Sequence, residues 1–131
     1  VLSATPRLIR SNAEGAVPSP DGTLVAFRSG ATVSVINITG ENIREIANAD
    51  LSETFGKLQW SPDGKSIAAL VRRRGGHTAV EAIEIVSGKR TPLVQRPHLR
   101  SYVWLPDGRL VFAVQDPGTS SAGSWWRSRQ S

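Results

Sequence analysis

Apolar positions along this chain fall into short runs of strand length, separated by turn residues, and the runs recur. Three of them, at residues 24–28, 67–71 and 110–114, each follow a Pro-Asp-Gly turn: Pro20-Asp21-Gly22, Pro62-Asp63-Gly64 and Pro106-Asp107-Gly108. Proline presets φ at the first central position of such a turn. Aspartate bonds nearby backbone amides, and glycine accepts positive φ without a steric cost. A second pair of runs, Val33-Ser34-Val35-Ile36-Asn37-Ile38-Thr39-Gly40 and Val80-Glu81-Ala82-Ile83-Glu84-Ile85-Val86-Ser87-Gly88, each closes in a glycine turn. A fourth strand follows both, over 42–47 and 89–95. Polar linkers at 48–54 and 96–100 then lead to Trp-ended strands at 56–60 and 101–105. β-branched and aromatic residues fill the runs, and nothing in the pattern requires a helix.

The turn aspartates at 21, 63 and 107 are 42 and 44 residues apart. Four strands per roughly 42 residues, with a tryptophan beside a tight turn, is the arithmetic of a β-propeller blade. The expected fold is therefore all-β, a partial β-propeller of about three four-stranded antiparallel blades in one domain spanning 1–131. Cut at the turns, the units are 18–59, 60–103 and a truncated blade at 104–131. Residues 1–17, with Arg7-Leu8-Ile9, are expected to end a preceding blade, and Ser124-Trp125-Trp126-Arg127 to begin a third strand of the last. Three blades do not close a ring unaided, so either further blades exist in a longer parent chain or a second copy supplies them. An ending inside a blade favours the fragment. Two departures stand out: Pro18 occupies the position of Trp60 and Trp104, and Leu105 that of Ser19 and Ser61.

Trp60-Ser61-Pro62-Asp63-Gly64-Lys65-Ser66-Ile67-Ala68 resembles the WD-repeat-like motif of the TolB-like β-propeller family. That motif occurs in TolB, in propeller domains of prolyl-oligopeptidase-type peptidases, and in propellers appended to bacterial Ser/Thr kinases and winged-helix regulators. The resemblance covers about residues 7–127 and is specific for architecture rather than task. It implies a bacterial, extracytoplasmic setting such as the periplasm.

Composition narrows the functional classes. With 131 residues, 39% of them hydrophobic, the chain suits one folded domain. The absence of cysteine excludes disulfides and thiolate metal sites, and no apolar run reaches the 18 residues of a membrane helix. The N-terminus lacks signal-peptide features and does not start with Met, as expected of a processed or excised piece. A net charge of +5 is scattered, with Arg72-Arg73-Arg74 as the one cluster and Arg127 and Arg129 near the end. A nucleic-acid-binding chain concentrates more charge on one face, so no nucleic-acid partner is expected.

Catalytic equipment is missing from the sequence. It has no Gly-x-Ser-x-Gly elbow, no phosphate loop and no kinase signature. His77 and His98 lack partners at metal-ligand spacing, so neither metal nor cofactor is expected. Turn capping accounts for Asp21, Asp63 and Asp107 with Gly22, Gly64 and Gly108, and Trp60 and Trp104 are assigned to the core. Adjacent Trp125 and Trp126 would face opposite sides of a strand. Asn37-Ile38-Thr39 matches a glycosylation sequon but lies in a strand expected to be paired. The binding candidate is Arg72, Arg73, Arg74 and His77, on the loop between the second and third strands of the middle unit. Such a loop meets an acidic partner or phosphate. Its plainer reading is a charged hairpin tip that discourages edge pairing. The expected function is a non-enzymatic binding module for a protein partner or a sensed ligand. The alternatives are the gating propeller of a prolyl-oligopeptidase-type peptidase without its catalytic domain, and a self-assembling three-blade protein.

Overall fold

The computed structural model describes residues 12–115 and, for the backbone, 124–129. The first sheet contains β1 (Glu14–Pro18), β2 (Leu24–Ser29), β3 (Thr32–Asn37) and β4 (Arg44–Asn48). The second contains β5 (Glu53–Trp60), β6 (Ser66–Arg73), β7 (His77–Glu84) and β8 (Arg90–Pro97). The third contains β9 (Leu99–Trp104), β10 (Arg109–Val114) and β11 (Ser124–Arg129). Neighbours in sequence are neighbours in space, and every pair is antiparallel.

The middle sheet shows why its strands read as unbroken apolar runs. Ile67, Ala69, Val71, Ile83 and Ile85 pack with Ala26, Val33, Val35, Ile46 and Ala47 of the first sheet. Ala68, Leu70, Val80 and Ala82 pack with Leu99, Tyr102, Trp104, Leu110, Phe112 and Val114 of the third. A sheet covered on both faces needs apolar residues at successive positions, not alternate ones. Complete burial of Ile67 and Ile83 contributes about 1.5–3 kcal/mol each.

Side-chain bonds tie the first strands of successive sheets together. Trp60 Nε1 donates to the Val17 carbonyl at 2.9 Å, joining β5 to β1. The Gln59 carboxamide accepts from Trp104 N at 2.8 Å and donates to Trp104 O at 2.9 Å, so one side chain substitutes for a ladder rung between β5 and β9. Lys57 Nζ donates to Tyr102 O at 2.7 Å, and the Tyr102 hydroxyl lies within bonding distance of both Lys57 O and Ala68 O, at 2.8 and 3.0 Å. With inner strands tied and outer β8 exposed along most of its length, the sheets radiate as blades. The architecture is a partial all-β propeller.

The sheets are offset from units cut at the turns. Pro-Asp-Gly joins the first strand of a sheet to its second, so the first two sheets span 14–48 and 53–97. Residues 14–17 accordingly open the first sheet and pair with β2 instead of ending a preceding one. Arg7-Leu8-Ile9 lies outside the described residues. β11 pairs with β10 along its length, Phe112 opposite Trp126 and Ala113 opposite Trp125. Two expected linkers are shorter than the polar pattern suggests. β5 starts at Glu53, and only His98, at a φ of 62°, separates β8 from β9. Exposed outer strands carry polar residues, which makes their ends look like loop. β3 stops at Asn37, leaving Ile38 and Thr39 exposed in the turn that follows.

Candidate functional site

A meander places its connections alternately at two ends. The Pro-Asp-Gly turns share one end, where neighbouring turns flank shallow clefts of about 360 and 370 Å³. Each turn is internally satisfied. Asp21 Oδ1 accepts from Ser19 Oγ at 2.7 Å, Thr23 Oγ1 at 2.7 Å and Thr23 N at 3.0 Å. These bonds, the Ser19 hydroxyl foremost, hold the Asp21 carboxyl down at about 2. Asp63 repeats the pattern with Ser61 Oγ and Lys65 N and is also lowered, chiefly by Ser61. In the third turn Leu105 supplies no hydroxyl. Asp107 caps Arg109 N at 3.0 Å and pairs with the Arg109 guanidinium at 2.6 Å. Gly22, Gly64 and Gly108 sit at φ of 74°, 73° and 90°. Trp60 and Trp104 are buried above these turns, at 6% and 4% exposure. The Trp104 indole donates at 3.2 Å to Gly108 O of its own hairpin, whereas Trp60 reaches the neighbouring blade.

The opposite end carries the β2–β3 and β6–β7 tips and the β4–β5 and β8–β9 connections. Here a cleft of about 460 Å³ is lined by Ser52, Arg73, Arg74, His77, Thr78, Gln95, Arg96 and Pro97. Three of the four candidate residues line it. Arg72 does not; it is exposed and lies opposite Thr54 on the strand. The cluster is divided because β6 runs through Arg73 and alternates its side chains between faces. Gly75 and Gly76, at φ of 87° and 82°, turn the tip. Arg74 N donates to Ser52 O at 3.1 Å, tying that tip to the β4–β5 connection. Gln95 and Arg96 arrive from β8 through the register of Thr78 with Arg96 and His77 with Pro97.

Arg73 belongs to an ion network spanning all four strands of the middle blade. It meets Glu53 at 3.0 Å and Glu81 at 2.7 Å, and Arg90 meets the same carboxylates at 3.0 and 2.7 Å. Two cations against two anions leave the network neutral. Glu81 is only 4% exposed, so these bonds are what allow its charge inside. Burial pushes the Glu53 carboxyl up, but hydrogen bonds from Arg90 and the Asp50 backbone, with the Arg90 charge, hold it below its ordinary value. The Glu81 bond dominates in raising Arg73 further above the physiological range. Arg90 also lies over the Phe55 ring at 5.2 Å.

Arg73 is thus held in place, and Arg74 and Arg96 are the other arginines lining the cleft. No lining residue is acidic, and beside the lining the Asp50 carboxylate accepts from Ser52 N at 2.8 Å and Ser52 Oγ at 2.6 Å. The sequence pattern isolates Arg74 and His77 but hides Ser52, Thr78, Gln95 and Arg96, since two of these lie in segments that read as linker. The fourth strand runs two residues past the expected end at 95, which places Arg96 beside Thr78 and Pro97 beside His77. Glu81, a charge inside the run Ala79-Val80-Glu81-Ala82-Ile83, is the signal for the network. Among the described residues no cluster of three or more His, Asp or Glu side chains is arranged to hold a metal ion. No helix among them is long and apolar enough to cross a membrane.

No family model matches this chain, and no curated protein is significantly similar in sequence. Several solved structures are similar in fold. A TolB-type protein of Agrobacterium tumefaciens superposes with a TM-score of 0.69 and 25% identity, over 88% of this chain and 42% of that one. The β-propeller domain of the Trilobed protease from Pyrococcus furiosus gives 0.70 and 19%, over 91% and 41%. An oligogalacturonate lyase in complex with manganese gives 0.68 and 20%, over 79% and 30%. The chain spans less than half the length of each of them, and its fold is that of a TolB-like β-propeller.

Proposed function

We propose that this chain is a non-enzymatic binding module, which engages a protein partner through the end of the blades that carries the β6–β7 tip. The supporting observation is the cleft of about 460 Å³ beside Arg74, His77 and Arg96, whose lining is basic and polar with no acidic residue. Rigid blades hold such loops at fixed spacing, and exposed positive charge such as that of Arg74 steers an oppositely charged partner toward them. Arg73 contributes shape, its charge being balanced by Glu53 and Glu81. The module acts outside the cytoplasm, in line with its TolB-like relatives. A photo-crosslinking residue placed at Arg74, and as a control at Lys65 on the turn end, tests the reading in cells of the native host. Crosslinked partners from position 74 support it; adducts from position 65 alone overturn it.

The likeness to the Trilobed protease propeller favours a second reading, a propeller that gates a serine peptidase. Coding sequence beside this chain with a Gly-x-Ser-x-Gly elbow in an α/β-hydrolase would establish it.

A further inference from the structure

We infer that the basic cleft takes an acidic peptide segment bearing an apolar side chain next to its carboxylate, with Arg74 as the carboxylate clamp and Leu51 as the apolar anchor. This deepens the binding role proposed above and rests on it. Three observations carry the inference. First, the Arg74 guanidinium makes no ion pair or hydrogen bond to any described residue, while its backbone is fixed by the bond to Ser52 O at 3.1 Å. An anchored backbone beneath an uncommitted guanidinium suits two-pronged recognition of a carboxylate.

Second, Leu51 is 98% exposed, the most exposed large apolar residue among those described, and it immediately precedes Ser52 on the cleft rim. The Arg74–Ser52 bond joins the two loops, so Leu51 lies one residue from the contact that fixes the Arg74 backbone. An isolated exposed leucine needs no explanation; one a single residue from the backbone contact that anchors Arg74 offers a ligand a second chemistry close to the cation. A peptide offers a carboxylate and an apolar side chain in adjacent residues, whereas inorganic phosphate offers no apolar group.

Third, the remaining lining supplies the Thr78 hydroxyl and the Gln95 carboxamide, groups that donate to and accept from a peptide backbone, while the Ser52 hydroxyl, which donates to Asp50 Oδ1 at 2.6 Å, is left to accept. Pro97 adds a rigid wall. Gly76 has nothing within 4 Å of the place a Cβ would occupy, so a ligand backbone can pass close to the tip. The volume lies within the roughly 300–1,000 Å³ of ligand sites, enough for a short stretch of side chains rather than a folded surface.

Fluorescence anisotropy on the full chain tests this, with a labelled hexapeptide of alternating glutamate and leucine. Control peptides replace every glutamate by lysine, or every leucine by serine. The glutamate–leucine peptide is expected to bind and both controls to bind at least about tenfold more weakly. Arg74→Glu should cost at least about tenfold and Leu51→Ser about three- to tenfold, each with an unchanged circular dichroism spectrum. Lys65→Glu on the far end should have no effect. The inference is overturned if the glutamate–serine peptide binds equally well, if Arg74→Glu or Leu51→Ser binds like the parent, or if millimolar phosphate displaces the peptide. Those results combined with crosslinks from position 74 reject the ligand chemistry alone. Absence of crosslinks there rejects the binding face as well.

Discussion

Replacing Glu81 by alanine strips the middle blade of the carboxylate that both Arg73 and Arg90 contact at 2.7 Å. Removing one partner from a fully buried ion pair costs about 3–5 kcal/mol, because the remaining charge is left without compensation. The two guanidinium side chains are 30% and 26% exposed, so water recovers part of that loss, and Glu53 still bridges them. The expected destabilisation is therefore about 2–3 kcal/mol, equivalent to a fall in Tm of about 10 °C for a domain of this size. Urea titration followed by tryptophan fluorescence measures it, with an unchanged slope showing that the unfolding reaction is the same. Glu81→Gln, which keeps the volume and one acceptor, should lose less. Arg109→Gln, which breaks an exposed pair at the turn end, should leave the midpoint where it was. A Glu81→Ala loss below about 0.5 kcal/mol would refute the reasoning, since the network would then be worth no more than surface pairs.

Trp60→Phe deletes the bond from the indole to Val17 O and should cost about 1 kcal/mol by urea titration. Trp104→Phe, whose bond at 3.2 Å stays within its own hairpin, should cost less from that bond. Gln59→Leu removes both bonds to the Trp104 backbone, and native-state hydrogen exchange should show the Trp104 amide losing protection while that of Ala68 is kept. The turn carboxylates make stability fall in acid. Asp21, at about 2, and Asp63, also lowered, have folded values below the unfolded carboxylate value of about 3.9, so their contribution is complete above that pH. It disappears as pH falls through the folded values. Urea midpoints measured between about pH 5 and 2 should drop less steeply in Asp63→Asn than in the parent, and parallel profiles would contradict the turn assignment.

The fold was legible because blade periodicity is written in local chemistry. Pro-Asp-Gly fixes each turn, Trp60 and Trp104 mark the strand ends, and continuous runs such as 67–71 declare a sheet covered on both faces. Blade boundaries were less legible. A turn is the most visible feature of the repeat, yet it lies inside the sheet, so units cut there straddle two sheets. The candidate site was half visible. Arg74 and His77 stand in one recognisable loop, but the wall opposite them comes from the end of β8, where Gln95 closes the expected strand and exposed, polar Arg96 resembles a linker. Arg73 could not be told from Arg72 and Arg74 by sequence. Only strand alternation and the partners Glu53 and Glu81, 20 and 8 residues away, take it out of the free surface.

Side-chain ¹⁵Nε NMR of arginine reports directly on which end of the blades receives a ligand. Titrated with the glutamate–leucine peptide, the Arg74 resonance should move saturably while Arg109, at the turn end, and Arg73, engaged by Glu53 and Glu81, stay still. Equal movement of Arg109 and Arg74, or none at Arg74 at saturating peptide, would contradict the account.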